Sequence, residues 1–341
     1  YLRRIKMKRL FLILFIILTF AIPSKAEIET DLSWETYPLD VVLQAENLTY
    51  DYLHSPYWFS INSTYSVGNL SISDEQARTG VHSLKITAYR PDPCLVDSSC
   101  GKRQEIRHFS TVTNTLVRMY HLEEHWVAFS VYLPSATITE DTQAKSGPFM
   151  FQLAPEPPAG LSSIVLRLDQ DQWNLYLSSD YRLPATPDDG PASSDSKNLG
   201  AWAGDTDKWT DWVLHFKLDY TTNGDNGGFV DIYKNGVLID LGGGHTDTGG
   251  NFYNGAHAYP KGGFYKAAWE NQAYAGTAFA YTYYMDAIKI GDSSETLESM
   301  SPESVEPLAG IESIDPLDVT SEITQPLRAP KNLNIITQPV Q

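Results

Sequence analysis

Trp209-Thr210-Asp211-Trp212-Val213-Leu214-His215-Phe216, followed after a Gly- and Asp-containing interval by Gly228-Phe229-Val230-Asp231-Ile232-Tyr233-Lys234-Asn235-Gly236-Val237, is the stretch that decides the fold class. From Trp212 to Leu218 the large apolar residues fall on every second position, the period of a half-buried strand. Asn235-Gly236 supplies the positive φ angles of a type I′ turn, so the second segment doubles back as a hairpin. The same signature recurs on both sides. His82 to Ala88, Trp126 to Leu133, Phe149 to Leu153, Ile164 to Leu168, Trp173 to Leu177 and Tyr281 to Ile290 are short β-branched and aromatic segments separated by Gly, Asn, Asp and Pro. Convincing helical periodicity is scarce. The expected fold is all-β: two antiparallel sheets packed as a concanavalin-like sandwich or β-jelly roll.

The 341 residues allow one large β domain with a sizeable core. Hydrophobic residues make up 42%, which excludes a disordered chain. The formal net charge of -17 argues against nucleic acid, which requires a basic footprint. Aromatic residues reach 12% while charged ones stop at 20%. That balance suits sheets and sugar-binding surfaces, where rings stack on pyranose faces.

Both ends read differently from the middle. Arg3, Arg4, Lys6, Lys8 and Arg9 precede an apolar run from Leu10 to Ile22, and Ser24-Lys25-Ala26 offers a small-x-small cleavage site. Residues 1–26 are therefore expected to be a signal peptide, with translation starting at Met7 and the protein secreted or periplasmic. The run falls short of the ~20 residues that span a bilayer, so no membrane association is expected beyond export. Residues 27–291 form the expected β domain. Residues 292–341 hold six prolines and no Trp, Tyr or Phe, which suggests an acidic linker or tail. Cys94 and Cys100 are the two cysteines, and in an oxidising compartment they are expected to form a disulfide.

Three segments concentrate chemistry. In Arg103-Gln104-Glu105-Ile106-Arg107-His108, strand alternation gives Arg103, Glu105 and Arg107 one face. Two arginines held by a carboxylate can grip an anionic sugar. In Phe149-Met150-Phe151-Gln152-Leu153, Gln152 interrupts an apolar run and can donate to a substrate carboxylate. In Tyr259-Pro260-Lys261-Gly262-Gly263-Phe264-Tyr265, alternate residues Tyr259, Lys261, Gly263 and Tyr265 share a face, and a lysine near a tyrosine favours its phenolate.

In that order, the three segments resemble the jelly-roll polysaccharide lyases, especially the glucuronan lyase and heparin lyase I-like group. Thr79 to Ile86, the Trp209 to Phe216 and Gly228 to Gly236 pair, and Tyr284 to Gly291 resemble further strands of that group, so the likeness covers residues 75–291. The resemblance implies β-elimination on an anionic, uronic-acid-containing polysaccharide, glucuronan-like rather than alginate. Alginate lyases of this fold carry Gln-x-His where this chain has Gln152-Leu153-Ala154. It also implies His108, Gln152 and Tyr265 as catalytic residues, with Arg103, Arg107, Tyr259 and Lys261 binding substrate. Gln152 and an arginine would steady charge on the uronate carboxylate, either His108 or Tyr265 would take the C5 proton, and Tyr265 would return one to the leaving oxygen. His108 has opposite parity to both arginines, so a bulge or strand end must intervene for all three to share a cleft. The chemistry requires no cofactor. Relatives in the group carry calcium, for which Asp219, Asp225 and Asp231 are the candidate oxygen donors.

The competing reading is a non-catalytic, lectin-like carbohydrate-binding module using the same face without a proton-transfer tyrosine. A jelly-roll hydrolase ranks below both, since the Glu-x-Asp-x-x-Glu string that often carries its two carboxylates is missing.

Overall fold

A computed structural model describes residues 28–32, 34–36, 59–62, 67–90, 102–108, 117–138, 147–156, 161–182, 190–266, 269, 278 and 280–302. The expected signal peptide and the Cys94–Cys100 pair lie outside these residues. The chain divides into units 1–304 and 305–341, and every described residue belongs to the first.

Two antiparallel sheets make up the fold. One is seven-stranded, in the order β10 (Ser193–Ala201), β9 (Gln172–Ser179), β8 (Ile164–Asp169), β7 (Phe149–Pro155), β14 (Ala258–Lys266), β5 (Lys102–His108) and β2 (Phe59–Asn62). The other is eight-stranded: β13 (Val237–Leu238), β12 (Phe229–Lys234), β11 (Trp209–Lys217), β6 (Glu124–Tyr132), β15 (Ala280–Asp292), β4 (Ser83–Tyr89) and β3 (Val67–Ser73), with β1 (Ile28–Leu32) also on β15. This is the expected all-β jelly roll. The Asn235-Gly236 turn has φ angles of 52° and 77°, with Lys234 paired to Val237, as the type I′ reading requires.

The core lies between the sheets. Trp173 of β9 meets Trp212 of β11 edge to face at 4.8 Å, and Phe129 of β6 stacks on Phe151 of β7 at 5.5 Å. All four rings belong to one buried cluster with Leu166, Leu175, Leu214 and Ile232. Because Trp212 is wholly buried, Trp212→Ala should destabilise the domain by about 3–5 kcal/mol. Denaturant unfolding reads this directly, and a cost under ~1 kcal/mol would contradict the packing. Past Gly291 the chain continues into a short helix, α1 (Leu297–Met300), whose Met300 is buried against Trp126, Ala128 and Val213.

Just beyond β9, buried Asp180 accepts Arg182 Nε at 2.8 Å and Nη2 at 2.6 Å, while Arg182 Nη2 also donates to the Gly190 carbonyl at 2.6 Å. The Arg182 side-chain hydrogen bonds hold the Asp180 carboxyl below its ordinary value. A depressed carboxyl contributes stability above its unfolded pKa and loses it as pH falls through the folded one. Asp180→Asn should therefore lower the melting temperature at pH 7, with the gap to wild type closing below about pH 4. A gap constant with pH would refute that linkage.

Candidate active site

The seven-stranded sheet turns one face to the core and the other outward. Ile106, Phe151, Leu153, Phe264, Ile164, Leu166, Leu175 and Leu177 fill the inward face. Alternation then gives the outward face to the polar residues between them.

Strand register brings the three candidate segments together. On β14, Lys261 pairs with Arg107 of β5 on one side and with Gln152 of β7 on the other. Arg107, Lys261 and Gln152 thus form one cross-strand row. Tyr265 pairs with Arg103 and Phe149, and Tyr259 pairs with Ala154. All seven sequence-derived candidates occupy three adjacent strands, and alternation puts six of them, all but His108, on one face. Of Arg103 only the backbone is described, so its position is known by register.

His108 ends β5 opposite Phe59 of β2. The register of β5 is unbroken against both β14 and β2, so no bulge changes its parity relative to Arg103 and Arg107. The side chain of His108 lies outside the described residues.

The row is deeply set. Gln152, Lys261 and Tyr259 are only 3%, 4% and 7% exposed, while Tyr265 and Arg107 are part-exposed. The Lys261 ammonium and the Arg107 guanidinium both lie 5.3 Å from the centre of the Tyr259 ring. Cations over an aromatic face are held by its quadrupole, so Tyr259 is a platform that fixes two positive charges. Tyr265 packs edge-on against Phe149 at 5.2 Å. Lys261 and Tyr265 are four residues apart on one strand, roughly 13 Å along it, and the lysine's described aromatic contact is with Tyr259.

Gln152 is locked at both ends of its amide. Its Nε2 donates to Glu105 Oε1, and its Oε1 accepts from the Ser162 hydroxyl. An amide nitrogen carries two hydrogens, so one donor remains beyond the bond to Glu105. Glu105 reaches Gln152 past Gly263, its own cross-strand partner. Gly263 has φ +122°, and a Cβ there would lie 2.4 Å from the Gln104 carbonyl oxygen. The register between β14 and β7 shifts at this point, which is the signature of a bulge. Behind the row, burial and the Glu105 carboxylate push the Tyr283 phenol of β15 well above its ordinary value, so it stays protonated.

Sequence reasoning did not single out Ser162. Its role depends on a loop folding back ten residues after Gln152, for which a lone serine gives no signal. The calcium candidates do not assemble. Asp219 accepts from Thr221 N and Oγ1 at 2.9 Å and from Asn226 N at 2.8 Å, closing its own loop. Burial works to raise its carboxyl, but the hydrogen bonds from Thr221 and Asn226 outweigh it and leave the value lowered. Asp231 instead lies 2.8 Å from His245 Nδ1. Among the described residues no three His, Cys, Asp or Glu side chains are grouped to hold a metal ion.

A family model described as polysaccharide lyase matches residues 51–289. Among solved structures, the endo-β-1,4-glucuronan lyase from the fungus Trichoderma reesei is 16% identical, over 74% of this chain and 96% of its own, with a TM-score of 0.55. An alginate lyase in complex with alginate trisaccharide is 12% identical over 77% and 97%, with a TM-score of 0.44. The catalytic domain of a glycoside hydrolase family 131 protein from Coprinopsis cinerea is 11% identical over 80% and 97%, at 0.42. No curated protein matches the chain. At such identities the likeness to solved structures is one of fold.

Proposed function

Because the chain belongs to the polysaccharide lyase family, we propose that it is secreted and cleaves a glucuronan-like polymer of uronic acid by β-elimination. The observation that carries this reading is the cross-strand row Arg107, Lys261 and Gln152, with Tyr265 on the same face.

Elimination removes the C5 proton of a uronate, forms the C4–C5 double bond and expels the C4 oxygen. Charge builds on the carboxylate as C5 loses its proton. Donors already in place lower that barrier, because they need not reorganise. In this reading Gln152, its carbonyl fixed by Ser162, directs its remaining N–H at the carboxylate. Arg107 and Lys261, seated on Tyr259, supply the positive field. Tyr265 as phenolate takes the C5 proton and, now neutral, returns it to the departing oxygen. Cationic neighbours favour the phenolate, and Arg103 is its cross-strand partner. The proton balance closes on Tyr265, which leaves no step for His108. Ala154, opposite Tyr259, presents a methyl where the alginate-type pattern has an imidazole, and this supports a glucuronan-like substrate.

The test is to incubate the protein with glucuronan, alginate, ulvan and heparin while following the ultraviolet absorbance of unsaturated uronates and the product masses. Strongest release from glucuronan is expected. Release confined to alginate would overturn the substrate assignment. Binding without new absorbance would overturn the mechanism and favour a non-catalytic glycan binder.

A further inference from the structure

The outward face that carries Gln152 continues past β7. Gln152 pairs with Val165 of β8, which pairs with Tyr176 of β9. Phe149 pairs with Arg167, which pairs with Asn174. The intervening Leu166, Leu168, Leu175 and Leu177 are in the core, so Arg167, Asn174 and Tyr176 share the face of Gln152. Arg167 is held on two sides. Its guanidinium lies 4.6 Å from the centre of the Tyr176 ring, and its Nη2 lies 2.5 Å from Asp169. Asp169 is itself anchored by the Gly147 N–H at 2.6 Å. The Nε–H of Arg167 is buried and has no hydrogen-bond partner among the described residues.

An arginine braced by a ring and a carboxylate, with an N–H lacking an acceptor, is built to receive an anion. We propose that Arg167 binds the carboxylate of a second uronate residue of the same polymer, with Tyr176 and Asp169 as the residues that position it. Arg167 lies one strand over from β7, about 4.8 Å, and two residues along β8 from Val165, the partner of Gln152, about 6.6 Å; the diagonal of about 8 Å is within reach of the carboxylate on a neighbouring pyranose. Arg167 therefore reads a sugar beside the one held at Gln152. The proposal rests on the lyase reading for the identity of the ligand, not for the existence of the subsite.

Two measurements separate these. In wild type and Arg167→Gln, elimination is followed on uronate oligosaccharides of increasing length. Arg167→Gln should raise KM about 10-fold on long chains, leave kcat within about 2-fold, and leave the shortest cleavable oligosaccharide unaffected. Arg167→Lys, which keeps the charge but not the fork, should fall between. Equal loss at every length, a loss in kcat alone, or no change would overturn the proposal. The second measurement is calorimetric binding of the same oligosaccharides to Tyr265→Phe with and without Arg167→Gln, which needs no turnover. A length-dependent loss of affinity supports the subsite even if wild type yields no unsaturated product, an outcome that would sink only the lyase reading. Tyr176→Leu gives the same length dependence if Arg167→Gln does not fold.

Discussion

Tyr265→Phe should slow elimination by about 10²–10⁴-fold while leaving KM nearly unchanged. The phenol carries two proton transfers in the proposed reaction, so the upper end of that range is expected. The substitution removes one oxygen and retains the ring, which packs in the sheet edge to face with Phe149 at 5.2 Å. The natural control lies six residues earlier on the same strand. Tyr259 acts through its ring, with Arg107 and Lys261 both 5.3 Å from its centre, so Tyr259→Phe should keep most of the activity. Initial rates from the ultraviolet absorbance of the unsaturated product distinguish the two tyrosines. Activity within 10-fold of wild type in Tyr265→Phe would move the proton to another group, and His108→Gln would then be the variant to examine.

Most of this face was legible because strand alternation is a local property. Arg103, Glu105 and Arg107, or Tyr259, Lys261 and Tyr265, must share a side wherever their strands lie. The Asn235-Gly236 hairpin was legible for the same reason: two residues carry the whole signal. What was not legible is long-range. That β14 lies between β5 and β7 follows from pairings over a hundred residues apart, and no local pattern records them. The expectation that Lys261 acts on Tyr265 came from spacing within one strand, whereas the side chain is found over Tyr259. The Arg-x-Asp spacing of Arg167 and Asp169 echoes Arg103 and Glu105, but it gained meaning only once β8 was seen beside β7. Asp219, Asp225 and Asp231 look like a donor set in sequence because all three are acidic and near one loop. Hydrogen bonds to Thr221 and Asn226, and the approach of His245 to Asp231, divide them.

Gln152→Glu should cost about 10²–10³-fold in kcat, comparable to the loss of a single preplaced donor to a developing oxyanion. The change is nearly isosteric, so its effect is chemical. The amide that donates to Glu105 and holds a second N–H becomes a carboxyl group within hydrogen-bond reach of Glu105. Two carboxylates so close do not both ionise readily, so one holds a proton to a higher pH than a lone carboxyl would. If that proton sits between them, the donor to the substrate is gone. If it is lost at higher pH, a second negative charge faces the substrate carboxylate. Activity should therefore fall at all pH values and fall further as pH rises, a slope wild type lacks. Gln152→Leu separates loss of the donor from added charge. It should show the drop in kcat without the extra slope, plus a stability cost from leaving Glu105 and the Ser162 hydroxyl without their amide partner. Parallel pH profiles for the two variants would show that Gln152 serves to orient Glu105 rather than to meet the substrate.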